Sequence, residues 1–201
     1  MAHGALIPSA EKPVLTLDQW FDLPEDTEGE LVDGRLEEEE MPDFVHEFLV
    51  ILLGQLFAEW AVPRGGAVGG SDAKLAVTET RGRKPDLTVF LPGRPLPPRR
   101  GLIRTPPSIA VEILSPQPRD TRRDRVDKMT DYAAFGVAFY WLVDPQLRTV
   151  EIYELGGDGR YVVAHSATSG KIDPVPGCEG LVLDLDALWQ KVDRLPGRSE
   201  D

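Results

Sequence analysis

Glu112 sits alone among apolar neighbours in IAVEILSP, Ile109 to Pro116. An ionised carboxylate buried in such a segment is costly unless a cation or hydrogen-bond donors compensate it. A second carboxylate, Asp86, opens the apolar run of KPDLTVFLPG, where its side chain can point out past a strand end. Two adjacent strands that each offer one acidic residue at similar height make an oxygen-rich site for a hard cation. Mg2+ or Mn2+ binds through one or two carboxylates, backbone carbonyl and water, and such an ion would compensate Glu112. A purely structural pair between Glu112 and an arginine or lysine is the competing reading. For a lone buried glutamate it is the commoner arrangement.

A lysine follows at a useful distance. RDTRRDRVDKMTDYAAFG reads as a helix ended by Gly136. At about 100° per residue, Val126, Met129 and Ala133 share one face, while Asp124, Lys128 and Asp131 share the opposite one. Lys128 is therefore expected off the core. It either pairs with Asp124 at i,i+4 on the surface, worth about 0.3–0.5 kcal/mol, or leans over the strand ends toward Glu112. There an ammonium could hold a phosphate or orient water. Spacing leaves both open.

The elements that must position these groups are legible in outline. TLDQWFDLP opens with a capping-box pattern, Thr16 to Gln19, and predicts a short helix. Asp33-Gly34 in GELVDGRLEEE predicts a hairpin. DFVHEFLVILLGQLFAEWAV predicts a long helix, apolar on more than one face, packed against a sheet. Glycine-rich GGAVGGSDAK leads into a strand near Lys74–Thr78, and KPDLTVFLPG forms another. RPLPPRRGLIRTPP is too rich in proline for regular structure and reads as an exposed loop. VAFYWLVD predicts a buried strand, TVEIYEL and RYVVAHS continue the sheet, and LDLDALWQKV predicts a closing helix. The order gives an α/β fold, a central mixed sheet flanked by helices. Tyr132, Trp141 and Asp144 read as packing and turn residues.

With 201 residues, 41% of them hydrophobic, the chain suits one domain at 15–193, with an arm at 1–14 and a tail at 194–201. No apolar run reaches the roughly 18 residues that span a bilayer. The longest, FLVILLGQLFAEWAV, is interrupted by Gly54 and Glu59 and reads as a core helix, so no membrane partner is expected. No signal-peptide pattern opens the chain. Cys178 is the single cysteine, which excludes an intrachain disulfide, fits a reducing cytoplasm and leaves it a small apolar residue. The net charge of −12 opposes nucleic-acid binding at first sight. Yet Arg81 to Lys128 carries 12 Lys and Arg against 5 Asp and Glu, a balance of +7, while the remainder carries 10 against 29, a balance of −19. That asymmetry reads either as a phosphate-facing surface or as a set of solvated loop arginines.

In order, GELVDGRL, the histidine at 46, KPDLTVF, PPSIAVEILSP, RDRVDKMTDYAAFGVAFYWLVDP and TVEIYEL together resemble the Uma2 family of endonucleases. The resemblance covers roughly residues 16 to 190 and implies the restriction-endonuclease-like PD-(D/E)XK fold. It places Asp86 at the acidic position of the PD motif and Glu112 at the following acidic position. The usual lysine two residues on is replaced by Leu114, and the family's lysine falls instead on Lys128, with Asp124 as the aspartate four residues earlier. Two extra residues stand between Pro116 and Asp124. Glu30 and His46 match the family's early acidic and histidine positions. The implied activity is Mg2+- or Mn2+-dependent hydrolysis of DNA phosphodiester bonds, with the ion on Asp86, Glu112 and the Ile113 carbonyl and with Lys128 near the attacking water. Glu30 would reach the ion through water. Ser115 reads as ending the strand. His46 either donates to a carboxylate or phosphate or is a satisfied half-buried histidine, the second being the plainer reading. A homodimer is expected where two DNA strands are cut. A non-catalytic module of the same fold and a hydrolase of smaller phosphoesters are the alternatives. No helix-turn-helix or zinc module specifies a recognition sequence.

Overall fold

A computed structural model of the chain describes residues 14–24, 27, 29–38, 42–115 and 122–196. The start of the expected arm, the end of the expected tail and the prolines at 116 and 118 lie outside them. α1 (Leu17–Phe21) has the expected capping box, with Thr16 and Gln19 bonding reciprocally. β1 (Glu30–Val32) and β2 (Arg35–Glu37) form the expected hairpin. Asp33 and Gly34 between them both take positive φ, 49° and 73°, the conformation a two-residue turn of matching twist requires.

The long helix α2 (Phe44–Ala61) is capped by the Asp43 side chain, which accepts from the His46 amide. By length and composition Phe44–Arg64 is apolar enough to cross a membrane. In this fold its Leu49, Leu53, Phe57 and Trp60 are buried against the sheet. Four strands appear where none was expected, two of them here and two near the end of the described chain. β3 (Ala67–Gly69) lies within the glycine-rich stretch, and a Cβ on Gly69 would stand 2.7 Å from Thr88 Oγ1, so glycine permits that close pairing. After β4 (Leu75–Thr78) comes the second, β5 (Arg81–Arg83). β6 (Leu87–Phe90) and β7 (Ile109–Ile113) follow. The helix after β7 begins as a π-helical stretch, Arg123–Lys128, and continues as α3 (Met129–Phe135), closed by Gly136 at φ 92°. β8 (Phe139–Asp144), β9 (Thr149–Leu155), β10 (Tyr161–Ala167), the short pair β11 (Lys171–Ile172) and β12 (Leu183–Asp184), and α4 (Leu185–Val192) complete the chain.

The main sheet has the order β10-β9-β8-β7-β6-β3, and within it β7 and β8 are the parallel pair. Parallel neighbours need a crossover, and α3 supplies it. A smaller sheet, β2-β1-β5-β4, brings Glu30 and Arg83 onto neighbouring strands. This is the α/β architecture the sequence implied. Residue alternation along β7 decides where the glutamate goes. Ile109, Val111 and Ile113 enter the core formed with α2 and α4, whereas Ala110 and Leu114 enter the one with Tyr132 and Tyr140. Glu112 shares the second parity and faces α3; a one-residue slip would drive it into the apolar α2 side. Cys178 is buried in the first core, and burial pushes its thiol up to about 12, consistent with an apolar packing role.

The helix after β7 is rotated relative to expectation. Val126 is 51% exposed, while Asp124, Lys128 and Asp131 are buried. Two causes act together. The π-helical stretch changes the angular phase between Arg123 and Lys128, and the surface opposite is not apolar but carries Glu112, Glu30 and Arg83. The charged face turns inward because its partners are inside.

The small sheet is registered by Trp20, whose indole donates to the Gly29 carbonyl at 3.2 Å and whose ring lies directly on Gly82. Any Cβ at 82 would collide with that ring. Gly82→Ala should therefore overpack the contact at a cost of about 1–3 kcal/mol, lowering Tm by about 2–12 °C for a domain of this size, as read by thermal melting. An unchanged melt would show that Trp20 does not fix β5.

Candidate active site

Six segments converge on Glu112. Its Oε2 accepts from Lys128 Nζ at 2.9 Å and its Oε1 from the Tyr132 hydroxyl at 2.6 Å. Lys128 and Tyr132 are one helical turn apart, which puts both donors over the same carboxylate. The ammonium also lies 3.4 Å from Glu30 Oε1 and 3.6 Å from Asp124 Oδ1. Glu30, at the start of β1, takes a 2.7 Å hydrogen bond from the Lys84 amide on Oε1 and another of 2.7 Å from Arg83 Nη1 on Oε2. Arg83 uses the rest of its guanidinium on Asp131, with Nε at 2.8 Å and Nη2 at 2.7 Å from Oδ2. Arg81, two residues earlier on the same face of β5, reaches Asp131 Oδ1 at 2.8 Å and Asp33 at 2.9 Å.

Asp86 closes the group from the β6 side. Its Oδ2 accepts from the amide of Ile113 at 2.7 Å, so it is tied to the backbone one residue past Glu112, and His46 Nε2 stands 3.1 Å from the same oxygen. Antiparallel pairing of β6 and β7 explains the meeting: Asp86 precedes the first residue of one strand, and Ile113 ends the other. With its side chain 15% exposed, Asp86 is the more open of the two carboxylates; that of Glu112 is 3% exposed.

Charge in this pocket is strongly perturbed. Burial pushes the Glu112 carboxyl well above its ordinary value despite Lys128, and the charges of Asp86, Asp124 and Glu30 push the same way. Burial likewise raises Asp124, against the pull of Lys128 and Arg123. For Glu30, burial is outweighed by Lys128, Arg83 and the Lys84 amide, which hold it below its usual value. Burial lowers His46, but the hydrogen bond and charge of Asp86 more than restore it, and the ring's pKa is raised. The Tyr132 hydroxyl is pushed far up by burial and by the adjacent Glu112, so it stays a donor. Arg83 is raised as well, since Glu30 and Asp131 outweigh its burial.

The structure therefore brings together Asp86, Glu112, Lys128, Glu30, Asp124 and His46. Ile113 is present, and its amide is the group in contact with Asp86. Ser115 follows the end of β7. His46 is buried and partnered by Asp86, so it is more enclosed than the half-buried reading and meets a carboxylate as the other one has it. Lys128 is no surface residue paired with Asp124 alone; it is 2% exposed. Tyr132 does more than pack. Arg83 and Asp131 form a second buried ion group that sequence reasoning missed, although RGR, with arginines two apart on a short strand, carried the signal. Asp144 is a turn residue as expected, accepting from the amides of Gln146 and Leu147.

The basic segment is not a single surface. Arg81, Arg83 and Lys128 are committed to carboxylates around the site. Arg94, Arg99, Arg100 and Arg104 are exposed on the loop joining the other ends of β6 and β7, away from Asp86 and Glu112.

A model of the Uma2 family, described as "Putative restriction endonuclease", matches residues 16–186, a span that includes each of these site residues. The chain belongs to the Uma2 family. A solved structure described as "a putative nuclease belonging to DUF820 from Anabaena variabilis ATCC 29413" superposes with a TM-score of 0.69 at 21% identity, covering 88% of this Uma2 chain and 98% of that one. The two share a fold. A rice protein (Oryza sativa subsp. japonica) described as "Probable protein phosphatase 2C 74" is 35% identical over 74 residues, 37% of this chain and 19% of its own length. The matched segment is thus about a fifth of that relative.

Proposed function

We propose that this chain is a metal-dependent endonuclease hydrolysing phosphodiester bonds of DNA with Mg2+ or Mn2+. The observation that carries this reading is the 2.9 Å contact of Lys128 with Glu112, beside an Asp86 bonded to the amide of the next residue. The donor set is all oxygen, as a hard cation prefers. Among the described residues no three His, Cys, Asp or Glu side chains form a ready-made metal cage. A two-carboxylate site suits Mg2+, which takes one or two carboxylates and completes its shell with water and substrate phosphate. Glu112 feels the charges of Asp86, Asp124 and Glu30 as well as the pull of Lys128, and the buried Asp124 Oδ1 accepts no hydrogen bond among the described residues. A divalent ion would relieve that repulsion on Glu112.

Asp86, Glu112 and the Ile113 carbonyl would hold the ion. Among the described residues both contacts of Asp86 fall on Oδ2, which leaves Oδ1 to offer. When bound, the ion supplies Lewis acidity toward a phosphoryl oxygen and acidifies coordinated water. Lys128 adds a fixed ammonium that orients the attacking water or takes up charge developing on the phosphate. Glu30, held by the Lys84 amide and Arg83 and 3.4 Å from the ammonium, helps hold Lys128 in place, and its remaining lone pairs could reach the ion through water. His46 steadies Asp86. Cutting both strands of a duplex calls for two such sites, which a homodimer would provide.

Linear, circular and single-stranded DNA incubated with wild type and Asp86→Ala, with Mg2+ and with a chelator, tests this reading. Wild type should open the circular substrate only with the ion, and Asp86→Ala should be at least about 10³-fold slower. Equal rates for both proteins would overturn it. A non-catalytic module of the same fold is favoured by one observation: Glu112 already has two donors and is nearly enclosed. That reading predicts no cleavage of any of the three DNA forms.

A further inference from the structure

We propose that Tyr132 is a positioning residue of this site, fixing the carboxylate of Glu112 in one orientation. The inference rests on the nuclease reading only for its kinetic consequence; its geometric content stands apart from it. A glutamate side chain has a nearly free terminal torsion unless both oxygens are held. Here Lys128 takes Oε2 and the Tyr132 hydroxyl takes Oε1 at 2.6 Å, the length of a charge-assisted bond. With one donor per oxygen, each oxygen keeps a second lone pair in a fixed direction. Removing Tyr132's hydroxyl would leave the carboxylate pivoting about the lysine.

The surroundings make Tyr132 rigid enough for this task. Its ring meets Tyr140 edge-on at 5.2 Å, and Tyr140 in turn lies 5.9 Å from Tyr161. The Tyr140 hydroxyl donates to the Asp124 carbonyl at 2.9 Å, and that of Tyr161 donates to the Val137 carbonyl at 2.7 Å. The three hydroxyls thus anchor the carboxylate, the π-helical stretch and the residue after Gly136. Of the three, only Tyr132 hydrogen-bonds to Glu112 among the described residues.

The test compares Tyr132→Phe with Tyr161→Phe. Each loses one tyrosine hydroxyl from the same aromatic cluster, and the second does not touch the site. Crystal structures of both variants should show the Glu112 carboxylate rotated in Tyr132→Phe and unmoved in Tyr161→Phe, whether or not any DNA is cut. In the DNA assay Tyr132→Phe should lose about 10- to 100-fold in kcat with KM for DNA nearly unchanged, and Tyr161→Phe should keep the wild-type kcat. An unmoved Glu112 in Tyr132→Phe, or equal losses of kcat per folded molecule in the two variants, would overturn the positioning role. Should Tyr132→Phe fail to fold, a wild-type crystal structure with Glu112 turned away from Tyr132 would overturn it equally. A wild type that cuts no DNA would refute the nuclease reading and leave the structural comparison decisive for Tyr132.

Discussion

Glu112→Gln should abolish cleavage and leave the chain folded. The amide keeps the contact with Lys128 through its carbonyl, while its NH2 faces the Tyr132 oxygen and leaves that hydroxyl proton without its acceptor, a local cost of about 1–3 kcal/mol. Lys128 retains Glu30 and Asp124 as counter-charges. What disappears is the negative charge that would hold the cation, and with it an interaction worth several kcal/mol in the transition state, or at least about 10³-fold in rate. Rate measurements in Mg2+, paired with thermal melting, separate the two effects. A folded variant that still cuts at more than a tenth of the wild-type rate would remove Glu112 from the chemistry.

The largest expected effect on stability lies at Arg83. Its guanidinium is 1% exposed and forks between Glu30 and Asp131, themselves almost enclosed. Arg83→Met would take the guanidinium from two buried carboxylates, leaving Glu30 only Lys128 and the Lys84 amide and Asp131 only Arg81, and breaking a buried ion group from one side costs about 3–5 kcal/mol. For a domain of this size Tm should fall by roughly 6–20 °C. Lysine should not substitute, since a single ammonium cannot reproduce the fork to both acids. Neutralising the acids along with the arginine, as Arg83→Met with Glu30→Gln and Asp131→Asn, should recover part of the loss because no unpaired charge remains. A fall of less than about 2 °C for Arg83→Met alone would mean that the group is solvated in solution.

How much of this was legible beforehand follows a physical division. Asp86 and Glu112 stand out because a carboxylate at a strand end or inside an apolar run has to be compensated, and that requirement is local to the sequence. The β1–β2 turn and the α1 cap are also written in adjacent residues. Lys128 was visible as a candidate, but its depth was not. A helical wheel assumes a constant 100° step and an apolar interior, and both assumptions fail where a π-helical stretch turns charges toward other charges. Arg83 and Asp131 were harder still, because they are 48 residues apart and meet only when β5 packs beside α3. β3 was hidden by the glycines in and around it, and the missing side chain of Gly69 is what allows it to lie against Thr88. The basic segment shows the converse: residues close in sequence were separated by the antiparallel turn-back of β6 and β7, which spacing left open.

The central claim is that Asp86 and Glu112 share one divalent ion next to Lys128. A crystal of the wild-type chain soaked in Mn2+ and measured at the manganese absorption edge tests it most directly. The account predicts a single anomalous peak bonded to both carboxylates, with the Lys128 ammonium still in contact with Glu112. An empty map between them, with Asp86 and Glu112 bound to protein donors alone at saturating Mn2+, would contradict it.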